Sequence, residues 1–212
     1  MLWPYRATAA FNGLKTRFNY KMELQNRIIS HFSDNIQTQQ AAMESLLEII
    51  EFGAQRMAGV LLNDKKILTC GNGSAALTAR HLASALLNPF ERERPGLPVI
   101  VLETDNAIVG NTQPDDVFAR QIRALGQTGD LLIAYSNGDK TASISKAVVA
   151  AHDKGVGIIA LTGDNNHSLS PLLNEMDLEI RVPSIYNKRI EETHLLMSHW
   201  LVDLVDHQIF GG

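Results

Sequence analysis

Between residues 66 and 209, short apolar runs alternate with longer amphipathic stretches, and this alternation restricts the fold more than any other feature of the chain. The runs at 66–70, 98–102, 130–135, 156–162 and 178–182 have strand length. Between them the apolar spacing predicts helices over 75–87, 115–125 and 141–153, with a last long helix over 188–209. Strands that each hand over to a helix build a parallel sheet covered on both faces, an α/β fold. Ahead of this region, Leu24, Ile28, Ile29, Phe32, Ile36, Met43, Leu46, Leu47 and Ile50 recur mostly at three- and four-residue steps around a polar patch at 34–40. They predict one long or two short helices, and 54–62 predicts another, closed by Asn63-Asp64.

With 212 residues the chain is long enough for one sizeable core. A formal charge of -4 provides no global basic field, so direct nucleic-acid binding is not expected, and any link to DNA would pass through another protein. A charged residue or histidine interrupts every apolar run before it reaches the roughly 18 to 20 residues of a membrane span. Cys70 is the only cysteine and ends an apolar run, which points to a reducing, cytoplasmic setting. Residues 1–21 carry Arg6, Lys15, Arg17 and Lys21 with no acid, yet lack the apolar centre of a signal peptide. They are read as an extension, a tail or an upstream start, and 22–212 as a single domain.

In open parallel sheets, ligands bind beyond the carboxyl ends of the strands, which selects the loops after Cys70, Leu102 and Tyr135. The turn Gly71-Asn72-Gly73-Ser74-Ala75-Ala76 fits the permissive dinucleotide pattern. However, the acid that should follow about 20 residues on is displaced, because the next strand ends at Glu103, about ten residues too late. "SNGDKT" is no Walker A loop, since Asp139 splits the required Gly-Lys-[Ser/Thr]. What remains is a glycine turn feeding a helix N-terminus, suited to an anion such as a sugar phosphate, or a tight turn that holds nothing.

The strings "CGNG", "ARHLASAL", "FERERPGLPVIVLETDN", "RQIRALGQTGDLLIAYS", "IIALTGD", "LEIRVPS" and "RIEETHLLMSHWLVDLVD" together resemble a sugar isomerase (SIS) domain across 22–210. Within that family they are similar to the phosphoheptose isomerase branch and its non-enzymatic relatives, the DnaA initiator-associating proteins. "IQTQ" and "LPVIVLETDN" lean toward the latter. The resemblance implies a three-layer αβα sandwich on a five-stranded parallel sheet, N-terminal helices that contribute to oligomerisation, and a homotetramer.

It also implies a phosphosugar site built from Asn72, Gly73, Ser74, Ser136, Asn137 and Thr141. Against the family's hydroxyl-rich phosphate loop, Ser136 and Thr141 match, while Asp139 adds an unfavourable negative charge. The isomerase's catalytic glutamate, four residues after the histidine matched by His81, is replaced by Ala85, which cannot accept a proton. His199 stands at the position of the catalytic histidine, and Glu191 replaces a glutamine. Eight residues apart, the two lie about 80° apart around a helix and can face one cleft. In some isomerases of the family the matching residues bind zinc, so His81, Glu191 and His199 form an alternative metal set; with the carboxylate gone, no metal or cofactor is expected. The plainer alternative is that the histidines are interface residues and Glu191 pairs with Arg189 or Lys188. Glu192, His152, His167, His194 and His207 are read as surface or interface residues, and Tyr135 as core or cleft wall.

The leading expectation is a catalytically silent SIS domain that, as a homotetramer, binds the replication initiator DnaA and promotes its assembly at the chromosomal origin. Ile209 and Phe210, at the free end of the last helix beyond an expected buried stripe of Leu196, Trp200 and Leu204, are the expected partner anchors. The alternative is a phosphoheptose isomerase acting on sedoheptulose 7-phosphate through a site rearranged around Glu191 and His199. A third possibility is a sugar-phosphate sensor without turnover.

Overall fold

In a computed structural model of the chain, residues 5–104, 113–138 and 142–211 are described, with side chains from residue 20 onward. Five strands, β1 (Ile67–Gly71), β2 (Val99–Val101), β3 (Leu131–Tyr135), β4 (Gly157–Gly163) and β5 (Leu178–Val182), form one sheet in the order β2-β1-β3-β4-β5. Every neighbouring pair is parallel. The helices are α1 (Tyr5–Leu62), α2 (Ala75–Leu87), α3 (Val117–Leu125), α4 (Ala142–Lys154) and α5 (Asn187–Phe210). No helix among the described residues is long and apolar enough to cross a membrane.

The strand pleat sorts side chains into two cores. Leu131, Ile133 and Tyr135 point into one with α1, α2 and α5, and Leu132 and Ala134 point into the other with α3 and α4. All five residues of β3 are therefore buried, as a central strand covered on both faces requires. The result is the expected αβα sandwich.

The N-terminal helices expected from the spacing merge into a single 58-residue helix that also runs unbroken across the boundary expected at residue 22. Its polar patch survives inside the helix because local partners serve it: Thr38 Oγ1 donates to the Asp34 carbonyl and Gln40 Nε2 to Glu44. Ala42, Leu46, Ile50, Ala54 and Met57, spaced by three and four residues, form the buried stripe of α1.

Along α5 the buried side differs from expectation. Leu196, Trp200 and Leu204 are only half-buried, whereas Ile190, Thr193, His194, Met197, Ser198, Leu201, Val202 and Val205 face inward. His194 is thus a core residue, not the surface or interface group expected. It lies behind Tyr135, with ring centroids 5.9 Å apart, and α5 meets the sheet there with no space to spare. A Cβ on Gly163 at the end of β4 would sit 2.2 Å from Ile190 Cδ1.

The strand order reverses between β1 and β3, which places a crevice between the loops that follow these two strands. The loop after β2, the third one selected from the sequence, leaves the sheet at its edge, and residues 105–112 lie outside the described residues.

Candidate functional site

The crevice begins where β1 turns into α2. A Cβ on Gly71 would stand 2.6 Å from the Ala75 backbone, so only glycine lets the first turn of α2 fold back so closely over the strand end. Gly73 follows at φ +57°, a left-handed conformation natural to glycine. The loop is then fixed from across the crevice. Asn72 and Ser143 of α4 exchange hydrogen bonds of 2.8 and 3.0 Å, and Asn137 Nδ2 donates to Ser74 Oγ at 3.2 Å. Buried Ser136 Oγ accepts from Asn166 Nδ2 at 2.7 Å, which fixes it at the exit of β3.

Asn72, Gly73, Ser74, Ser136 and Asn137, the described members of the expected phosphosugar set, thereby line one hollow of about 650 Å³, a volume typical of small-molecule sites. Thr141, with Asp139 and Lys140, lies outside the described residues. The far wall is the start of α5, which contributes Asn187, Lys188 and Glu191. Asn187, Ser143 and Asn166 escaped the sequence reading. The signal for Asn187 was its place in the first turn of the helix that follows β5, the side of the sheet where ligands bind.

Tyr135 is both core and cleft wall: it is fully buried, borders the hollow, and its hydroxyl meets Ser198 Oγ at 2.7 Å. Behind it, His194 Nε2 lies 3.0 Å from the Thr162 carbonyl, so that nitrogen carries the hydrogen and donates. Burial lowers the His194 pKa to about 4, which keeps the ring neutral at pH 7.

A second hollow of about 440 Å³ adjoins the first. The two share Ser74, Lys188 and Glu191, and the second adds Leu77, His81 and Leu195. His81 Nε2 meets His199 Nε2 at 2.7 Å, one nitrogen donating and the other accepting, while Phe90 packs against the His199 ring at 5.6 Å. Partial burial, together with the nearby His199, depresses the His81 pKa. Glu191 does not join the histidines; it pairs with Lys188 at 2.9 Å.

Of the alternative zinc set, His81 and His199 meet, and Glu191 pairs with Lys188 instead. Among the described residues no three His, Cys, Asp or Glu side chains come together. Two imidazoles on one tetrahedral zinc would hold their nitrogens about 3.3 Å apart, given Zn–N bonds near 2.0 Å. At 2.7 Å the nitrogens address one another, so the residues as placed do not fit a metal, and no chemical step is derived through one.

Ala85 lies one turn beyond His81 on α2, half-buried against the core, and its carbonyl accepts a 2.7 Å hydrogen bond from Arg94 Nη2. At the other end of α5, Phe210 is 38% exposed, while Ile209 packs against its own core. The expected pair of free apolar anchors is therefore reduced to Phe210. Glu192 is tied to Arg189 and Asn35, His152 is paired with Asp177, and His167 and His207 are exposed.

Comparison with known proteins adds three findings. Residues 31–163 match the SIS domain. The chain is 48% identical to the phosphoheptose isomerase of Methylococcus capsulatus, over 90% of this chain and 100% of that one, and 45% identical to the DnaA initiator-associating protein DiaA of Klebsiella pneumoniae, over 87% and 96%. Among solved structures it superposes on a phosphoheptose isomerase from Francisella tularensis with a TM-score of 0.82 at 38% identity, covering 86% of this chain and 97% of that one.

Proposed function

The chain belongs to the SIS domain family, among its phosphoheptose isomerase-like members, and we propose that its cleft binds a sugar phosphate and interconverts the ketose and aldose forms of a heptose phosphate, with sedoheptulose 7-phosphate as the test substrate. The observation that carries this reading is the meeting of two hydroxyl- and amide-bearing loops at the β1–β3 crevice, opposite a carboxylate, Glu191. This reverses the order expected from the sequence, where Ala85 together with Asp139 argued for a silent site; the relatives named phosphoheptose isomerase give the isomerase reading the greater weight.

The phosphate rests on the hydroxyls of Ser74 and Ser136 at the positive N-terminal end of α2. At the other end of the sugar, a base must take a proton from one carbon and return it to its neighbour through an enediol. Glu191 is the carboxylate among the described residues of the larger hollow, and it takes this role in place of residue 85. His81, kept neutral at pH 7 by its depressed pKa, lines the adjoining hollow that Glu191 also borders and serves to bond the carbonyl oxygen. A coupled assay tests this: sedoheptulose 7-phosphate is turned over by the wild type, and Glu191→Gln loses at least about a hundredfold, the usual worth of a general base. Wild-type turnover no higher than a buffer blank overturns it.

A second reading rests on Ala85 and on the DiaA relative: a cytoplasmic homotetramer that holds the DnaA initiator through Phe210, with Ile209 supporting it from the core. Repeated copies of one weak site raise avidity without new contacts. A pull-down with purified initiator decides it. Phe210→Ala should weaken capture at least about tenfold, the effect of losing an aromatic anchor, with the assembly intact. Unchanged capture rejects it.

A further inference from the structure

Two residues after Ser136, Gly138 leaves the β3 exit loop without a side chain, and another element reaches over it. Of the atoms that a Cβ on Gly138 would meet, the three nearest all belong to the Asn187 amide on α5, with Nδ2 first at 3.5 Å. Both residues line the larger hollow together with Ser74 and Ser136. Asn165, just past β4, fixes which way the Asn187 amide faces. Its Nδ2 faces the Ile185 and Asn137 carbonyls at 3.3 and 3.5 Å, where an oxygen would be repelled, and the same nitrogen donates to Asn187 Oδ1. Asn187 Oδ1 is thereby taken. Its Nδ2, the atom nearest the Gly138 position, keeps two N–H donors that have no partner among the described residues, on a side chain exposed at the hollow.

From this geometry we propose that Asn187 is a phosphate-binding residue: its amide N–H groups donate to the phosphate oxygens held on Ser74 and Ser136, so that α5 supplies a third side of the phosphate site. This rests on the sugar-phosphate reading of the same cleft. Gly138 offers the phosphate no side-chain donor, and Asn187 supplies one from the opposite wall. Because Asn165 holds the amide by its oxygen, the donors face the loop before the ligand arrives, and no rotation of the side chain opposes binding.

The test is Asn187→Asp, which keeps an oxygen for Asn165 and replaces the unpartnered donor alone. Calorimetric titration of the full chain with sedoheptulose 7-phosphate at about pH 8 should show binding at least about tenfold weaker than in the wild type, the scale of one charge-assisted contact. At about pH 5.5 that ratio should shrink, because a phosphate monoester takes up a proton with a pKa of about 6 and can then donate to the new carboxylate. Lys188, Glu191 and His81 also border the two hollows and are present in both proteins, so the ratio isolates the change at Asn187. Thermal melts should stay level, since an acid in the first turn of a helix is favourable. Unchanged affinity in Asn187→Asp overturns the role of Asn187, and a loss in Ser136→Ala alongside it shows that the sugar-phosphate site stands. A loss of equal size at both pH values overturns it too, since the donor then serves a sugar hydroxyl. If sedoheptulose 7-phosphate does not bind the wild type at millimolar concentration, the parent reading falls and takes this one with it.

Discussion

His194 is the residue whose chemistry departs furthest from that of a free side chain. Its folded pKa of about 4 lies below the ordinary value near 6.5, so the unfolded chain binds the proton more readily. Its contribution is complete above about pH 6.5 and is lost as pH falls toward 4, on the order of 1.4 kcal/mol per pH unit. Urea unfolding at pH 7.5 and pH 5 should show that loss in the wild type, and His194→Gln, whose amide can still donate to the Thr162 carbonyl, should show a shallower one. An identical pH dependence in the two proteins rejects a buried neutral His194. The glycine turn, Ser74 and Ser136 were legible in the sequence because backbone geometry and a strand end determine where they lie. The burial of His194 and the position of Lys188 were not, because helical spacing leaves open which flank of α5 meets the sheet and which side chain borders the cleft.

At the scale of elements, α2, the loop after it and α5 are joined by a buried ion pair. Arg94 Nε lies 2.7 Å from Asp206 with both side chains nearly inaccessible, and the same guanidinium donates to the carbonyls of Ala85, Leu86 and Pro95. Removing one partner strands a buried charge, so Arg94→Ala should lower stability by about 3 kcal/mol or more in denaturant melts. Arg94→Met with Asp206→Leu should recover much of that loss, because the double variant leaves no unpaired charge. A loss under about 0.5 kcal/mol in Arg94→Ala would show the pair to be idle. The positions of all five strands could be read from alternation alone, to within one residue at each end, because parallel strands buried on both faces read as short continuous apolar runs; their order across the sheet could not. The unbroken α1 was harder to read, since its polar patch resembles a linker until its i,i+4 partners are in place.

For the molecule as a whole, α1 carries Ile28, Ile29, Phe32 and Ile36, each more than half exposed on one protomer. Apolar side chains at such spacing suit a partner surface, and the homotetramer expected from the family resemblance would supply one. Light scattering should give four copies of the 23.4 kDa chain, and Ile29→Glu with Phe32→Glu should shift the protein to smaller species; a wild-type monomer contradicts the assembly. The sequence pattern made this stripe visible but not its destination, because a stripe that buries within the subunit and one that buries between subunits have the same period. The proposed sugar-phosphate cleft is the feature on which the functional reading depends, and calorimetric titration with sedoheptulose 7-phosphate tests it most directly. Saturable binding to the wild type, weakened at least about tenfold in both Ser74→Ala and Ser136→Ala, is the predicted result. No heat of binding at millimolar ligand, or binding untouched by either substitution, would contradict it.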